Sequence, residues 1–360
     1  MSPANVRLVA AQDLKRRARA GKWRLLLAVW TLVLAGLLLL LRLALPTPAP
    51  KGFAVVGDNF QTFYGPRGTP MFGGLALVVL ALSLLVVPAL TCQSVNGDRE
   101  RGTLATVQVT SLTAGDITLG KFFGAWVASL AFLVATAPLV VWCMLEGGVP
   151  AINVLVTGLV LAGIMGTVSA ISLALSALLV RPTTSSVFAY LSVAALCVGT
   201  LIIFGLVTAA FGTTKVTHTA SIPVTGPDGT TSSQTYTTDE TRTDRTWWLL
   251  SPNPFVVLAD AAPASSSRTI SGPDGAEVSY QRLDPLGGLG HTVRRLRLAP
   301  QDQDTIGLNA SDSGDDNSLG GPVWPTGLIV NVSLGILALA VTRLRLVTPT
   351  RKLPRGVRIA

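Results

Sequence analysis

The chain has 360 residues, of which 49% are apolar and only 13% are charged, and its mean hydropathy is +0.54. This composition argues against an ordinary soluble protein of two domains and is typical of integral membrane proteins. The formal net charge of +9 resides largely in basic residues that flank apolar segments. That placement favours contact with anionic membrane lipid, so we expect membrane lipid as a partner and no nucleic acid.

Residues 1–23 form a basic segment before the first apolar run. Ser2 and Pro3 are typical of a helix start. The residues on one helical arc are apolar, unlike their basic neighbours: Val6, Val9, Ala10 and Leu14. This pattern predicts a short helix lying in the cytoplasmic interface of the membrane, with a disordered basic tail as the alternative.

Six segments are long and apolar enough to cross a bilayer as helices. They are residues 24–45, 71–91, 122–145, 151–180, 187–211 and 323–346. About 20 helical residues cover the hydrocarbon core. The centres of these spans contain no Asp, Glu, His or Lys, so nothing in them can harvest an ion gradient. Apart from Arg24, Arg343 and Arg345 at the predicted cytoplasmic ends, Arg42 is the one charge inside a span, and it lies near the other end, where it can reach the interface.

Basic residues also set the predicted orientation. The first 24 residues carry seven Lys or Arg and the tail after residue 342 carries six, whereas the short loops 47–70 and 145–150 carry two between them. The positive-inside rule therefore predicts that both termini lie in the cytoplasm. The chain contains few lysines and many arginines, alanines and glycines, which is typical of proteins from GC-rich bacterial genomes. We therefore expect a multi-pass protein of the plasma (inner) membrane.

The polar segment 92–121 separates the second and third spans. Within it, Gly115–Lys121 (GDITLGK) matches the phosphate-binding pattern G-x-x-x-x-G-K-[ST] up to its last position. There Phe122 replaces the hydroxyl that would ligate magnesium, and the helix that follows is a membrane span. We therefore expect no nucleotide site, no cofactor and no metal in this chain.

A second pattern covers the same segment. It consists of DRERGTL at 98–104, VTSLT at 109–113, Ile117, and LGK at 119–121. In order, spacing and position, these residues resemble the cytoplasmic loop of type-2 ABC exporter permeases. The consensus of that loop is approximately E-x-E-x-G-T-L-E, then a T-P-L-S turn, then I-x-x-G-K. The chain departs from it with Asp98 for Glu, Ala105 for Glu and Ser111 for Pro.

The resemblance implies that this loop forms a coupling helix docked on a separate ABC ATP-binding subunit, which carries ATP and Mg²⁺. The residues that match the motif, and are expected to take part in coupling, are Asp98, Glu100, Arg101, Gly102, Thr103, Leu104, Gly120 and Lys121. Glu100 can face a basic partner site. Gly102 can end the helix where a Cβ would crowd the turn. An ordinary solvated loop is the alternative.

The segment between the last two spans, residues 212–322, is rich in Thr, Ser, Asp and Gly. Two GPDG turns, at 226–229 and 272–275, have alternating flanks typical of hairpin strands. Between them, 246–262 is apolar but too short to span, so we expect it to lie on or dip into the outer interface. Its part SPNPFVVLADA resembles an S-P-F-x-Y-like element in the family's fifth outer loop. The segment is either a lid or partner-docking cap, or a tolerated insertion.

The predicted fold class is an all-α integral membrane protein with six transmembrane helices, an N-terminal interfacial helix and a large extracytoplasmic insertion with some β hairpin between spans five and six. The domains are 1–23, a cytoplasmic interfacial helix; 24–211, spans one to five with the coupling loop 92–121; 212–322, an extracytoplasmic loop or cap; 323–346, the sixth span; and 347–360, a basic cytoplasmic tail.

These features favour a non-catalytic permease subunit of an ATP-driven ABC exporter. It would assemble with a second permease chain, as homodimer or heterodimer, and move an amphipathic or hydrophobic substrate outward. The alternative is a polytopic membrane sensor or assembly factor whose extracytoplasmic segment binds a ligand or partner. A membrane enzyme lacks catalytic residues, since the only histidines, His218 and His291, fall in the loop 212–322.

The predicted topology is testable with single cysteines at Ser232 and Thr113 in a background without the native cysteines. We expect Ser232→Cys to react with an impermeant maleimide in intact cells and Thr113→Cys to react only after permeabilisation. Labelling of Thr113→Cys in intact cells would contradict the orientation.

Overall fold

The computed structural model describes most of the chain and is dominated by helices. The described residues are 2–19, 21–45, 66–102, 112–220, 234–262, 268–271, 277–280, 285–298 and 321–347. Their helices are α1 Pro3–Arg19, α2 Gly21–Ala44, α3 Gly68–Thr91, α4 Asn96–Glu100, α5 Ala114–Ala135, α6 Ala137–Leu145, α7 Ala151–Leu178, α8 Pro182–Ala194, α9 Thr200–Phe211, α10 Pro254–Ala261, α11 Pro285–Arg295 and α12 Trp324–Leu346. A π-helical turn, Ala195–Gly199, joins α8 to α9, and 3₁₀ turns cover Thr243–Arg245 and Trp247–Leu250.

Six of these segments are long and apolar enough to cross a membrane, which confirms the predicted number. We name them spans one to six: Trp23–Ala44, Gly68–Glu100, Ala114–Leu145, Ala151–Leu178, Pro182–Phe211 and Trp324–Leu346. The third span begins at Ala114, earlier than predicted, because Thr113 and Asp116 form a capping box that starts the helix. It is interrupted at Thr136, two residues before Pro138.

Spans two and four form the centre of the bundle, and spans one and five are its most exposed members. Span six packs along span four, where Thr167 donates a hydrogen bond to the Asn331 carbonyl at 3.1 Å. Gly335 lies at this contact, where an added Cβ would be in ordinary van der Waals contact with Thr167, 3.5 Å from its Cα. Many exposed side chains of spans one and five are large and apolar, among them Leu32, Leu40 and Leu206, as expected for surfaces that face lipid.

The two ends of the bundle are closed differently. At the end that carries α1, the tips of spans two, three, four and six share a small apolar cluster: Val95, Ile117, Leu173, Ala177 and Leu346. We call this the amino-terminal end. At the opposite end Arg42 of span one donates from Nε to Glu146 Oε1 at 2.5 Å, and this hydrogen bond lowers the pKa of Glu146. Arg42 therefore has a carboxylate partner as well as partial exposure.

Two antiparallel strand pairs lie between spans five and six. β1 (Thr213–Ala220) pairs with β2 (Gln234–Thr241), with Thr213 opposite Thr241. β3 (Arg268–Ser271) pairs with β4 (Glu277–Tyr280), with Arg268 opposite Tyr280. Threonine, the commonest residue of the first pair, is β-branched and suits extended backbone. Both GPDG sequences lie outside the described residues.

The apolar segment 246–262 packs into the bundle at the end opposite α1. Its helix α10 contacts spans two, four and six, and Val257, Leu258 and Ala259 are buried. Asn253 caps this helix, because its Oδ1 accepts hydrogen bonds from the amides of Phe255 and Val256. The same side chain donates from Nδ2 to the Cys197 carbonyl at 2.8 Å, inside the π-helical turn of span five. One asparagine thus joins α10 to the irregular part of span five.

Asp260, at the end of α10, is a buried carboxylate that organises its surroundings. Its Oδ2 accepts hydrogen bonds from the backbone amides of Val323 and Trp324, at 2.5 and 2.6 Å. Its Oδ1 accepts from Arg294 Nε of α11 at 2.7 Å. The negative charge lies at the start of span six, where the helix dipole stabilises it. Asp260 therefore fixes α10, α11 and span six to one another.

We predict that Asp260→Asn strongly destabilises this end of the protein. The change leaves Arg294 without its charged partner and removes the charge at the start of span six, which costs about 3–5 kcal/mol for a buried pair. The measurement is the thermal unfolding midpoint of the purified protein in detergent. Asp244→Asn is the control, because within the described residues this acid pairs with its near neighbour Arg242 and with no other element. Equal midpoints for the two variants would contradict the role of Asp260.

Candidate functional site

The last part of span two, after Thr91, is anchored to span four before it reaches its exposed tip. The chain turns through residues 92–95 and enters α4. The backbone amides of Val95 and Asn96 both donate to Ser176 Oγ of span four, at 3.1 and 3.2 Å. Ser185, at the start of span five, donates to the Cys92 carbonyl at 3.0 Å. These bonds satisfy backbone groups that the turn leaves unpaired, and they hold the start of α4 in place.

Asp98 and Lys121 form an ion pair between spans two and three. Lys121 Nζ lies 2.5 Å from Asp98 Oδ2 and 2.7 Å from the Ser94 carbonyl. The two side chains are only 13% and 9% exposed. The other carboxylate oxygen of Asp98 lies 3.5 Å from Arg101 and 3.8 Å from Arg16 of α1. One carboxylate therefore connects span two, span three and the N-terminal helix.

The tip of this segment is exposed. Glu100, Arg101 and Gly102 all face the surroundings, and within the described residues Glu100 makes no ion pair. Gly102 adopts φ of +68°, a left-handed conformation that glycine tolerates and most residues do not. An added Cβ would meet no atom of the described residues within 4 Å, so these residues do not crowd the turn as expected. The backbone conformation is the reason. Thr103 and Leu104 lie outside the described residues.

Gly120 lies on the face of span three that receives α1. A Cβ at Gly120 would come within 2.5 Å of Val9 Cβ, and a Cβ at Gly124 within 3.0 Å of Asp13 Oδ2. The small residues of span three thus admit the N-terminal helix, and the apolar arc of α1 faces span three. The predicted helix in this segment is confirmed over Pro3–Arg19.

Asp116 joins α1 to span three, and the sequence analysis did not identify it. Its Oδ1 accepts a hydrogen bond from the Ser2 amide at 3.0 Å. Its Oδ2 accepts from the amide and the hydroxyl of Thr113, at 3.1 and 2.8 Å. The carboxylate thereby fixes the first residues of α1 to the first turn of span three. The pattern T-x-x-D before an apolar run is the sequence signal that identifies such a cap.

Taken together, the predicted site residues separate into two groups. Asp98, Gly120 and Lys121 are buried and hold helices together, whereas Glu100, Arg101 and Gly102 are exposed at the tip. Gly115–Lys121, the partial phosphate-binding match, is helical rather than a loop. Among the described residues, no group of three or more His, Cys, Asp or Glu side chains is placed to hold a metal ion.

Comparisons with known proteins give no family assignment. No protein-family model matches the chain, and no curated protein matches it. The geometry of the site is therefore the basis for any functional proposal.

We predict that substitutions of Asp98 and Lys121 have strongly non-additive effects on the free energy of unfolding. Asp98→Asn or Lys121→Met alone leaves a charge largely buried without its partner, so each should cost about 3–5 kcal/mol of unfolding free energy. The double variant should cost clearly less than the sum of the two. The measurement is a double-mutant cycle from unfolding with sodium dodecyl sulfate in mixed micelles. Arg101→Gln, an exposed partner of Asp98, should cost at most about 1 kcal/mol. Additive single effects would contradict the pairing.

Proposed function

We propose that the chain is the membrane-spanning permease subunit of an ATP-driven ABC exporter. In this proposal a separate ATP-binding subunit, which carries ATP and Mg²⁺, docks on the segment between spans two and three. The chain itself is non-catalytic and assembles with a second permease chain in the plasma membrane, with both termini in the cytoplasm. The proposal rests on the anchoring of α4 and on the resemblance of residues 98–121 to the coupling loop of type-2 exporter permeases.

The observation that carries the proposal is the contrast between the exposed tip of α4 and its fixed base. The base is bonded to span four through Ser176 and to span three through Lys121. A displacement applied at Glu100 is therefore passed to spans two, three and four together rather than absorbed in a loop. Such rigid attachment suits a segment that converts movement of a partner subunit into movement of helices.

Glu100 has the chemistry of a docking residue. It is exposed, and a carboxylate there can accept charged hydrogen bonds from an Arg or Lys of a partner. Such a bond contributes about 1.5–3 kcal/mol when the contact excludes water. Asp98 and Lys121 act in this proposal as positioning residues. They set the direction of α4 and do not themselves meet the partner.

The composition of the spans supports an external energy source. Their centres carry no acidic, histidine or lysine side chain, and the charged groups Asp98 and Lys121 pair with each other at the amino-terminal end. A gradient-driven transporter needs ionisable groups at membrane depth. Apolar spans favour an amphipathic or hydrophobic substrate. In this proposal, residues 212–322 lie outside the cell beside the exit path.

The test is assembly of the full chain with a candidate ABC ATP-binding subunit from the same organism. The two proteins are co-expressed, purified as a complex and reconstituted in nanodiscs for measurement of ATP turnover. We expect Glu100→Gln to weaken assembly about tenfold or more, because it removes one charged hydrogen bond. Gly102→Val should uncouple ATP turnover from the permease, because a β-branched residue resists the left-handed conformation.

Two matched controls separate these effects from a general loss of folding. Arg19→Gln removes an exposed charge from α1 at the same end of the bundle and should assemble like the unmodified chain. Gly102→Asn should retain coupling, since asparagine tolerates the left-handed region far better than valine. If Glu100→Gln and Gly102→Val both assemble and turn over ATP normally, the coupling role is wrong and a membrane sensor or assembly factor becomes the better hypothesis.

A further inference from the structure

A cleft of about 500 Å³ lies between α1 and the first turns of span three. Ligand sites in proteins commonly have volumes of roughly 300–1,000 Å³. Its walls come from Pro3, Val6, Arg7 and Ala10 of α1 and from Leu119 and Phe123 of span three. Apart from Arg7 and the adjoining Ser2, these lining residues are apolar. The cleft thus has the character of a hydrocarbon site with one charged group.

The cleft lies beside the first turns of span three, at the end of the span where a membrane boundary is expected. Phe123 lies nine residues after the start of the span at Ala114, or about 13 Å along the helix axis, and its side chain is 37% exposed. Arg7 lies on α1, outside the six spans. An occupant can therefore place an apolar tail beside Phe123 and keep a polar head near Arg7.

The basic residues of α1 indicate that the polar head of the occupant is negatively charged. Its exposed charged residues are all basic, namely Arg7, Lys15, Arg16 and Arg19, and its single acid, Asp13, is paired with Arg17. Within the described part of the chain, Arg7 itself makes no ion pair or side-chain hydrogen bond. A guanidinium presents several donors that fit a phosphate group. Basic helices at the interface attract anionic lipid for the same reason.

We propose that this cleft binds an anionic phospholipid, with one acyl chain between α1 and span three and the phosphodiester on Arg7. A water-soluble ligand fits the walls less well, because they offer few polar groups to orient it. The bound lipid would stabilise the packing of α1 against Gly120 and Gly124 of span three. This proposal does not depend on the transport role, since it concerns only α1, span three and the surrounding lipid.

The test uses the full chain in phosphatidylcholine vesicles that contain a trace of phosphatidylglycerol with a photoactivatable group on one acyl chain. Mass spectrometry should locate the label on residues 3–10 or 119–123. Arg7→Gln should reduce this labelling about fivefold, the effect of one basic residue on an anionic lipid. Arg19→Gln, an exposed charge on the same helix away from the cleft, should leave it unchanged, and Arg7→Lys should restore most of it. Ala10→Leu should reduce the labelling because it narrows the cleft.

Three outcomes would overturn the proposal. Labelling that survives Arg7→Gln would show that the headgroup does not bind there. Equal labelling by phosphatidylcholine with the same photoactivatable chain would show that the site does not select anionic lipid. Cross-links between two protein chains at these residues would show that a second copy occupies the cleft instead.

Discussion

The amino-terminal end of the bundle depends on the carboxylate of Asp98, which lies 2.5 Å from the ammonium of Lys121 and within 3.8 Å of two arginines. The pair lies where spans two and three leave the apolar region and where α1 crosses them. Burying Asp98 and Lys121 removes both charges from water, which costs free energy. The additional contacts of Asp98 with Arg16 and Arg101 help to offset this cost. It determines how α4 leaves the bundle, and hence where its exposed tip points.

A buried carboxylate that joins helices occurs at three places in the fold. Asp98, Asp116 and Asp260 each use both carboxylate oxygens to bind a segment that is not a span to one that is. Helix packing between apolar spans provides little directional information, because lipid is as apolar as the side chains. Buried carboxylates supply that direction, since their hydrogen bonds accept few geometries. These acids therefore hold α1, α4 and α10 in addition to the hydrophobic contacts of those helices.

The two ends of the bundle differ in what they offer to other molecules. The amino-terminal end presents exposed basic residues on α1 and the exposed tip Glu100–Gly102. The opposite end is filled by α10, whose Asn253 bonds the π-helical turn of span five and whose Asp260 caps span six. Irregular backbone inside a span requires such a polar partner, because lipid provides none. Contacts at α10 therefore couple spans five and six at one end, whereas α4 couples spans two, three and four at the other.

The sequence by itself determined the number and approximate bounds of the spans, because about 20 consecutive apolar residues have few other stable states. It also identified residues 92–121 as the polar segment between the second and third spans, and it predicted the helix in α1 from an apolar arc. The sequence did not distinguish Glu100, which is exposed, from Asp98 and Lys121, which are buried. Local patterns record residue type and spacing, but exposure depends on which helices are neighbours.

Only the tertiary structure decided those neighbours. It showed that Gly120 and Gly124 admit α1, that Asp116 binds Ser2, and that Gly102 is needed for its backbone conformation. It also placed α10 against spans two, four and six. Apart from the local conformation of Gly102, each of these features joins residues far apart in the chain. Helix periodicity cannot specify such pairs, because many faces of an apolar helix pack equally well until a buried polar group selects one.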